Sequence, residues 1–157
     1  MANQAVRSRR TEIRPRSDIS NINERCLLYG ETFRVAGSKP IVIIVEDDAS
    51  MLRALRRLVL AGGYEPRVFD RPSALLKSKL PMRAACLLVD IHLPEMDGVQ
   101  LCGLLSARDC ALPVILMTAD TSERTRQLAY SATPVSLLLK PFTREALMKA
   151  ITAALSR

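Results

Sequence analysis

The four cysteines of this chain (Cys26, Cys86, Cys102 and Cys110) form no C-x-x-C pair and no metal-binding spacing. This speaks against a disulfide scaffold or a redox sensor and for reduced cysteines in a cytosolic protein. No apolar run approaches the ~20 residues of a membrane span. The segment "SRRTEIR" (8–14) pairs two arginines, but no apolar stretch follows, which argues against an export signal. The same Arg-rich region carries Glu12, Asp18 and Glu24, unlike a transit peptide. A Gly-rich phosphate loop is missing too. "EDDAS" (46–50) stands where a nucleotide-binding fold would place glycines and a lysine, which argues against a nucleotide pocket. Internal repeats are absent.

The chain has 157 residues, 48% apolar and 25% charged, enough for one globular domain with a real core. Its net charge is +7. Residues 1–38 hold seven Arg and four acids, and the remainder holds 16 basic and 12 acidic residues, so the excess is spread over both parts. A solvated basic surface accounts for it; weak attraction to nucleic acid or acidic lipid is the alternative. Residues 1–38 lack sustained periodicity and read as a mobile N-terminal extension, with "CLLYG" (26–30) as its one apolar patch. A domain is expected over 39–157.

From Pro40 onward, strand and helix patterns alternate. "IVIIVE" (41–46), "AACLLVD" (84–90), "PVILMT" (113–118) and "VSLLL" (135–139) are short apolar runs of the kind that strands covered on both faces show. "YEPRVF" (64–69) is a strand weakened by Pro66 and therefore belongs near an edge. Between them lie helix patterns at 50–61, 73–80, 98–107, 122–131 and 143–155. The first ends at Gly62-Gly63, the second is expected to start on a Ser73 N-cap, and the last carries Leu147, Ile151 and Leu155 as a stripe. Five strands alternating with five helices imply an α/β fold, a parallel sheet with helices on both faces. Ligands of such sheets bind beyond the carboxyl ends of the strands.

Those strand ends carry the chemistry. The first delivers Glu46-Asp47-Asp48, the third Asp90, the fourth Thr118-Ala119, the fifth Lys140-Pro141. Two carboxylates ~4 Å apart repel by about 4 kcal/mol at an effective dielectric of 20. Lys140 offsets one charge; a hard divalent cation such as Mg²⁺, bound by oxygens, fits the rest and points to phosphoryl chemistry. The group would arrive on another molecule. Each residue taken singly has a plainer reading. Asp90 reads as a capping or loop acid, Thr118 as a strand threonine, Asp48 and Asp97 as solvent-facing or loop-capping acids. His92, the sole histidine, reads as a surface loop residue, and Met96, Met117, Cys86 and Cys102 as packing.

The motifs "IVIIVEDD", "LLVDIHLPEMDG", "PVILMTA" and "LLLKPF", in this order and each at a strand end, resemble a response-regulator receiver domain over residues ~40–155. The "D-x-x-L-P-x-M-D-G" run resembles regulators of the nodulation and nitrogen-fixation type. The resemblance implies a flavodoxin-like doubly wound (βα)5 fold with strand order 2-1-3-4-5. It implies Asp90 as phosphoacceptor from a sensor histidine kinase or histidine phosphotransfer protein, with Mg²⁺ as cofactor. Asp47 would bind the metal, Glu46 would assist through water, Asp90 would share it, and His92 would lend its backbone carbonyl. Thr118 and Lys140 would bind phosphoryl oxygens, Ala119 would keep the pocket open, and Lys140-Pro141 would be cis. Such a protein is a cytoplasmic signalling phosphoprotein of bacterial type, and catalyses only its own phosphorylation and dephosphorylation.

Two departures fall on the face formed by the fourth helix, fifth strand and fifth helix, where the family meets partners or dimerises. Leu137 replaces the usual Tyr or Phe three residues before the lysine, and Thr133-Pro134 replaces the usual Gly-Ala. Tyr130 is the nearby aromatic. No helix-turn-helix pattern follows Phe142, so a stand-alone receiver without a DNA-binding domain is expected. Three functions are therefore weighed: a phosphorylatable receiver in a phosphorelay; a receiver-fold interaction module that works without phosphorylation; and nucleic-acid or membrane binding through the basic extension.

Overall fold

The computed structural model describes residues 39–79, 84–108, 110 and 112–156. The expected extension (1–38), Cys26 and Leu80, the last residue of the expected second helix, lie outside them.

Ten elements alternate along the described chain. They are β1 (Ile41–Val45), α1 (Ala49–Ala61), β2 (Glu65–Phe69), α2 (Pro72–Lys77), β3 (Ala84–Asp90), α3 (Gly98–Ser106), β4 (Val114–Thr118), α4 (Glu123–Ser131), β5 (Ser136–Leu139) and α5 (Arg144–Leu155). The strands form one sheet, ordered β2-β1-β3-β4-β5, with every pairing parallel. This is the doubly wound order expected, and β2, with Pro66, is an edge strand.

The continuous apolar runs are explained by the two faces of the sheet. Alternate strand residues point to opposite sides. Val42, Ile44, Cys86, Leu88, Ile115, Met117 and Leu138 pack with Leu55 and Val59 of α1 and Leu147 and Ile151 of α5. Ile43, Val45, Leu87, Val89 and Leu116 face the other way, against Leu75 of α2, Leu101 and Leu105 of α3 and Ala129 of α4. Leu155, expected in the α5 stripe, is only partly buried, while Ala150 and Ala154 join the core.

Most helix starts follow local rules. Asp48 caps α1 by accepting the Met51 N–H (2.6 Å), Ser122 caps α4 through Thr125 (3.2 Å), and Thr143 caps α5 through Ala146 (3.2 Å). Asp97 forms a reciprocal capping box with Gln100 at α3. α2 is the exception. It starts at Pro72, with Arg71 at the cap position and no side-chain capping bond, rather than on a Ser73 cap. Proline supplies its own helical φ at the first position, so the start falls earlier. The Ser73 hydroxyl is spent elsewhere, on Glu95 (3.1 Å).

The register brings the strand ends level. Val45 pairs with Phe69 and Val89, Asp90 with Met117, and Thr118 with Leu139. The residues that follow β1 and β5 and those that end β3 and β4 therefore meet at one edge.

Candidate functional site

Three carboxylates meet there. Glu46, Asp47 and Asp90 each offer an oxygen within 4.8 Å of the others. Glu46 is 1% exposed and Asp90 7%, whereas Asp47 faces solvent. Burying the first two is costly unless something pairs with them. Lys140, delivered by the end of β5, does so: its Nζ donates to Asp90 Oδ2 at 2.6 Å and to Glu46 Oε2 at 2.7 Å. The remaining oxygens use backbone. Asp90 Oδ1 accepts the His92 N–H (3.2 Å), and Glu46 Oε1 accepts the Asp48 N–H (3.4 Å). Asp90 is thus a buried acid held from two sides, by the Lys140 ammonium and by the loop backbone at His92.

The electrostatics follow from burial. Desolvation pushes the Glu46 carboxyl above its ordinary 4.5, and Lys140 opposes that rise. Desolvation acts to lower the Lys140 ammonium, but its bonds to Asp90 and Glu46 outweigh it and hold the group above 10.5. One ammonium faces three carboxylates. The cluster keeps about two negative charges uncompensated, the charge of one divalent cation. An all-oxygen donor set with one solvent-facing carboxylate suits Mg²⁺, which retains several waters.

Thr118 is 1% exposed, at the end of β4 beside β5. Its Oγ1 accepts the Asp120 N–H (3.0 Å), which leaves the hydroxyl proton available to donate. Its carbonyl accepts the Lys140 N–H (2.8 Å), tying the two strand ends together. Lys140-Pro141 is cis, as the resemblance implied. Gly98 closes the loop after β3: its N–H donates to the Ile91 carbonyl at 2.9 Å, and a Cβ there would overlap the Asp90 carbonyl oxygen. The His92 ring lies in the exposed loop expected for it, its Nε2 3.8 Å from Asp120 Oδ2.

Two residues near the site escaped sequence reasoning. Asp120 organises the start of α4 through Ser122 and Thr125 Oγ1 (2.6 Å), and those bonds, that from Thr125 foremost, hold its carboxyl below 3.8. Glu95 reaches across to Ser73. "ADTS" (119–122) carries a weak Asx-turn signal for the first; the second has none, because its partner lies 22 residues away.

On the α4–β5 side, Glu123, Arg126, Tyr130, Leu137 and Leu139 line an open groove. Tyr130 is 65% exposed, and Leu137 packs partly against the core. Thr133, beside Pro134, holds a positive φ of 46°. Among the described residues, no helix is long and apolar enough to cross a membrane.

The profile described as "Response regulator receiver domain" matches residues 42–152. Nodulation protein W of Bradyrhizobium diazoefficiens is 33% identical over 122 residues, covering 78% of this chain and 54% of that protein. Transcriptional regulatory protein PrrA of Mycobacterium leprae is 30% identical over 120 residues, covering 76% and 52%. The chain thus spans about half the length of these relatives. A solved response regulator receiver domain protein from Clostridium thermocellum superposes with a TM-score of 0.69 at 18% identity, over 75% of this chain and 95% of the other, which shows the fold. The signal receiver domain of a modulated diguanylate cyclase from Desulfovibrio desulfuricans gives 0.67 at 32%, over 76% and 95%. With the family profile spanning more than half the chain and strand ends that match its motifs, this chain belongs to the response regulator receiver domain family of two-component signalling.

Proposed function

We propose that the protein accepts a phosphoryl group on Asp90 from a phosphohistidine of a sensor kinase or phosphotransfer protein, and later loses it to water. The observation that carries this reading is the Lys140 ammonium gripping Asp90 and Glu46 at a solvent-reachable edge beside Thr118. An Asp90 carboxylate oxygen forms the new P–O bond as the P–N bond to the donor imidazole breaks. Hydrolysis then releases inorganic phosphate and restores the carboxylate. Lys140 and the Thr118 hydroxyl are placed to bind phosphoryl oxygens, and positioning with charge neutralisation is most of the catalysis such transfer needs.

Glu46, Asp47, Asp90 and the His92 carbonyl would hold Mg²⁺. A divalent cation there supplies charge neutralisation for the incoming phosphoryl oxygens. On this reading residues 39–157 are the receiver, residues 1–38 an extension to it, and the protein acts in the cytoplasm, where the donor phosphohistidine lies. The groove on α4 and β5 is the face offered to a partner or a second copy.

The test is incorporation from acetyl phosphate, with Mg²⁺ or with a chelator, in the native chain and in Asp90→Asn. Mg²⁺-dependent labelling lost in the variant is expected; label retained in Asp90→Asn means another acceptor. A second reading, an interaction module that needs no phosphoryl group, draws support from Leu137 at the usual aromatic position and from Thr133-Pro134. Mg²⁺ binding without any labelling would favour it.

A further inference from the structure

Glu95 holds a conformation that its side chain disfavours. Its φ is +73°, and the Met96 N–H donates to the Pro94 carbonyl at 2.9 Å, so Glu95 is the centre of a tight turn with positive φ. For an L residue such a turn is rare and strained, and it persists when surrounding contacts over-determine it. α2 supplies such contacts. The Glu95 carboxylate accepts the Ser73 N–H at 3.2 Å and the Ser73 hydroxyl at 3.1 Å, from the first turn of α2.

The loop from Ile91 to Gly98 packs Leu93 and Met96 against the core and is also pinned by hydrogen bonds at two points. Its base is fixed to β3, where Gly98 donates to Ile91 and lies against the Asp90 carbonyl. Its tip is fixed to α2 by Glu95. Between the two pins lies His92, whose N–H donates to Asp90 Oδ1 at 3.2 Å. A glycine at 95 would adopt this turn without strain but would offer nothing to Ser73. A local rule is broken here in favour of a tertiary contact, and such exchanges concentrate where function constrains the backbone.

We propose that Ser73 and Glu95 form a positioning pair: the carboxylate held by Ser73 sets the path of the loop 91–98, and with it the His92 backbone that the acidic site uses. Glu95 touches no reacting atom. The pair sets how tightly the site takes a divalent cation and how fast Asp90 is labelled, and this rests on the function proposed above.

The test uses the full chain. Mg²⁺ affinity by titration calorimetry and labelling rate from acetyl phosphate are measured for the native protein, Ser73→Ala, Glu95→Ala, the double variant and Glu95→Gln. Glu95→Ala, which removes both bonds, is expected to raise the Mg²⁺ Kd about tenfold, as loss of a group that orients a metal ligand does; Ser73→Ala, which keeps the backbone N–H bond, should raise it less. The double variant should add little to Glu95→Ala, which leaves no bond for Ser73→Ala to remove. Glu95→Gln keeps an acceptor oxygen and should return the Kd towards the native value. If the native chain binds Mg²⁺ and labels while Glu95→Ala stays within about twofold of it, the proposal is overturned; a lowered melting temperature alone would show a structural role only. A native chain that neither binds nor labels overturns the function proposed above and this inference with it.

Discussion

At the residue scale Lys140 sets the charge balance of the site. Among the described residues it is the one side chain that forms an ion pair with Glu46 and Asp90, both almost fully buried. Lys140→Met would leave two carboxylates facing each other without a counter-ion, and we predict a loss of about 3 kcal/mol at neutral pH, read by urea denaturation in Mg²⁺-free buffer. The pH dependence has a definite sign. The folded-state Lys140 value lies above the ordinary 10.5, so its contribution is complete below that value and is lost as pH rises through the folded one. Native protein should therefore weaken on crossing 10.5 upward, and Lys140→Met should show less of that fall. Glu46, also raised, works in the same direction: stability present below 4.5 is lost as pH rises through its folded value. Asp90→Asn removes one of the repelling charges and keeps the shape, so it should raise the Mg²⁺-free melting temperature by a few degrees while abolishing labelling. These residues were legible in the sequence because each acid, hydroxyl or ammonium interrupts an apolar run at a strand end. The bond from Asp120 to Thr118 was not, since it depends on the turn the backbone takes after β4.

At the element scale the β3–α3 connection decides how Asp90 is presented. The Asp97–Gln100 capping box, with Asp97 as N-cap, starts α3 at Gly98, which must be glycine for the helix to begin against the Asp90 carbonyl. Asp97→Ala should cost about 1 kcal/mol of stability, read as a lower melting temperature, and should loosen Asp90 with it. Helix and strand identities were readable from periodicity, and so was the Ser122 cap of α4; Thr143, read as the first residue of its helix, is instead its cap. The start of α2 was not readable. Ser73 looked like a cap in isolation, but Pro72 sets the first turn and Glu95, far along the chain, takes the hydroxyl. The expected strand at 64–69 shrank to Glu65–Phe69 for a local reason: Tyr64 N–H is bonded to the Val59 carbonyl and still belongs to the turn after α1.

At the scale of the whole molecule, alternation of apolar runs and helix patterns was enough for a parallel sheet covered on both faces. It was not enough for the strand order, which came from resemblance to the receiver family and is the order found. The charge pattern at the common edge predicts how the molecule responds to cation. Mg²⁺ that binds only the folded site stabilises the chain by about 2.7 kcal/mol at a hundred times its Kd. A rise in melting temperature with millimolar Mg²⁺, diminished in Asp90→Asn, is expected; an unchanged melting temperature in the native chain contradicts the metal site.

The central claim is that one carboxylate, Asp90, becomes the acyl phosphate, and the most direct test is to trap it. Treatment with acetyl phosphate and Mg²⁺, reduction with borohydride and peptide mass spectrometry convert the phosphorylated residue to homoserine and locate it. Homoserine at position 90, dependent on Mg²⁺ and absent without the donor, is the predicted result. Homoserine at position 47, or at neither, contradicts the account.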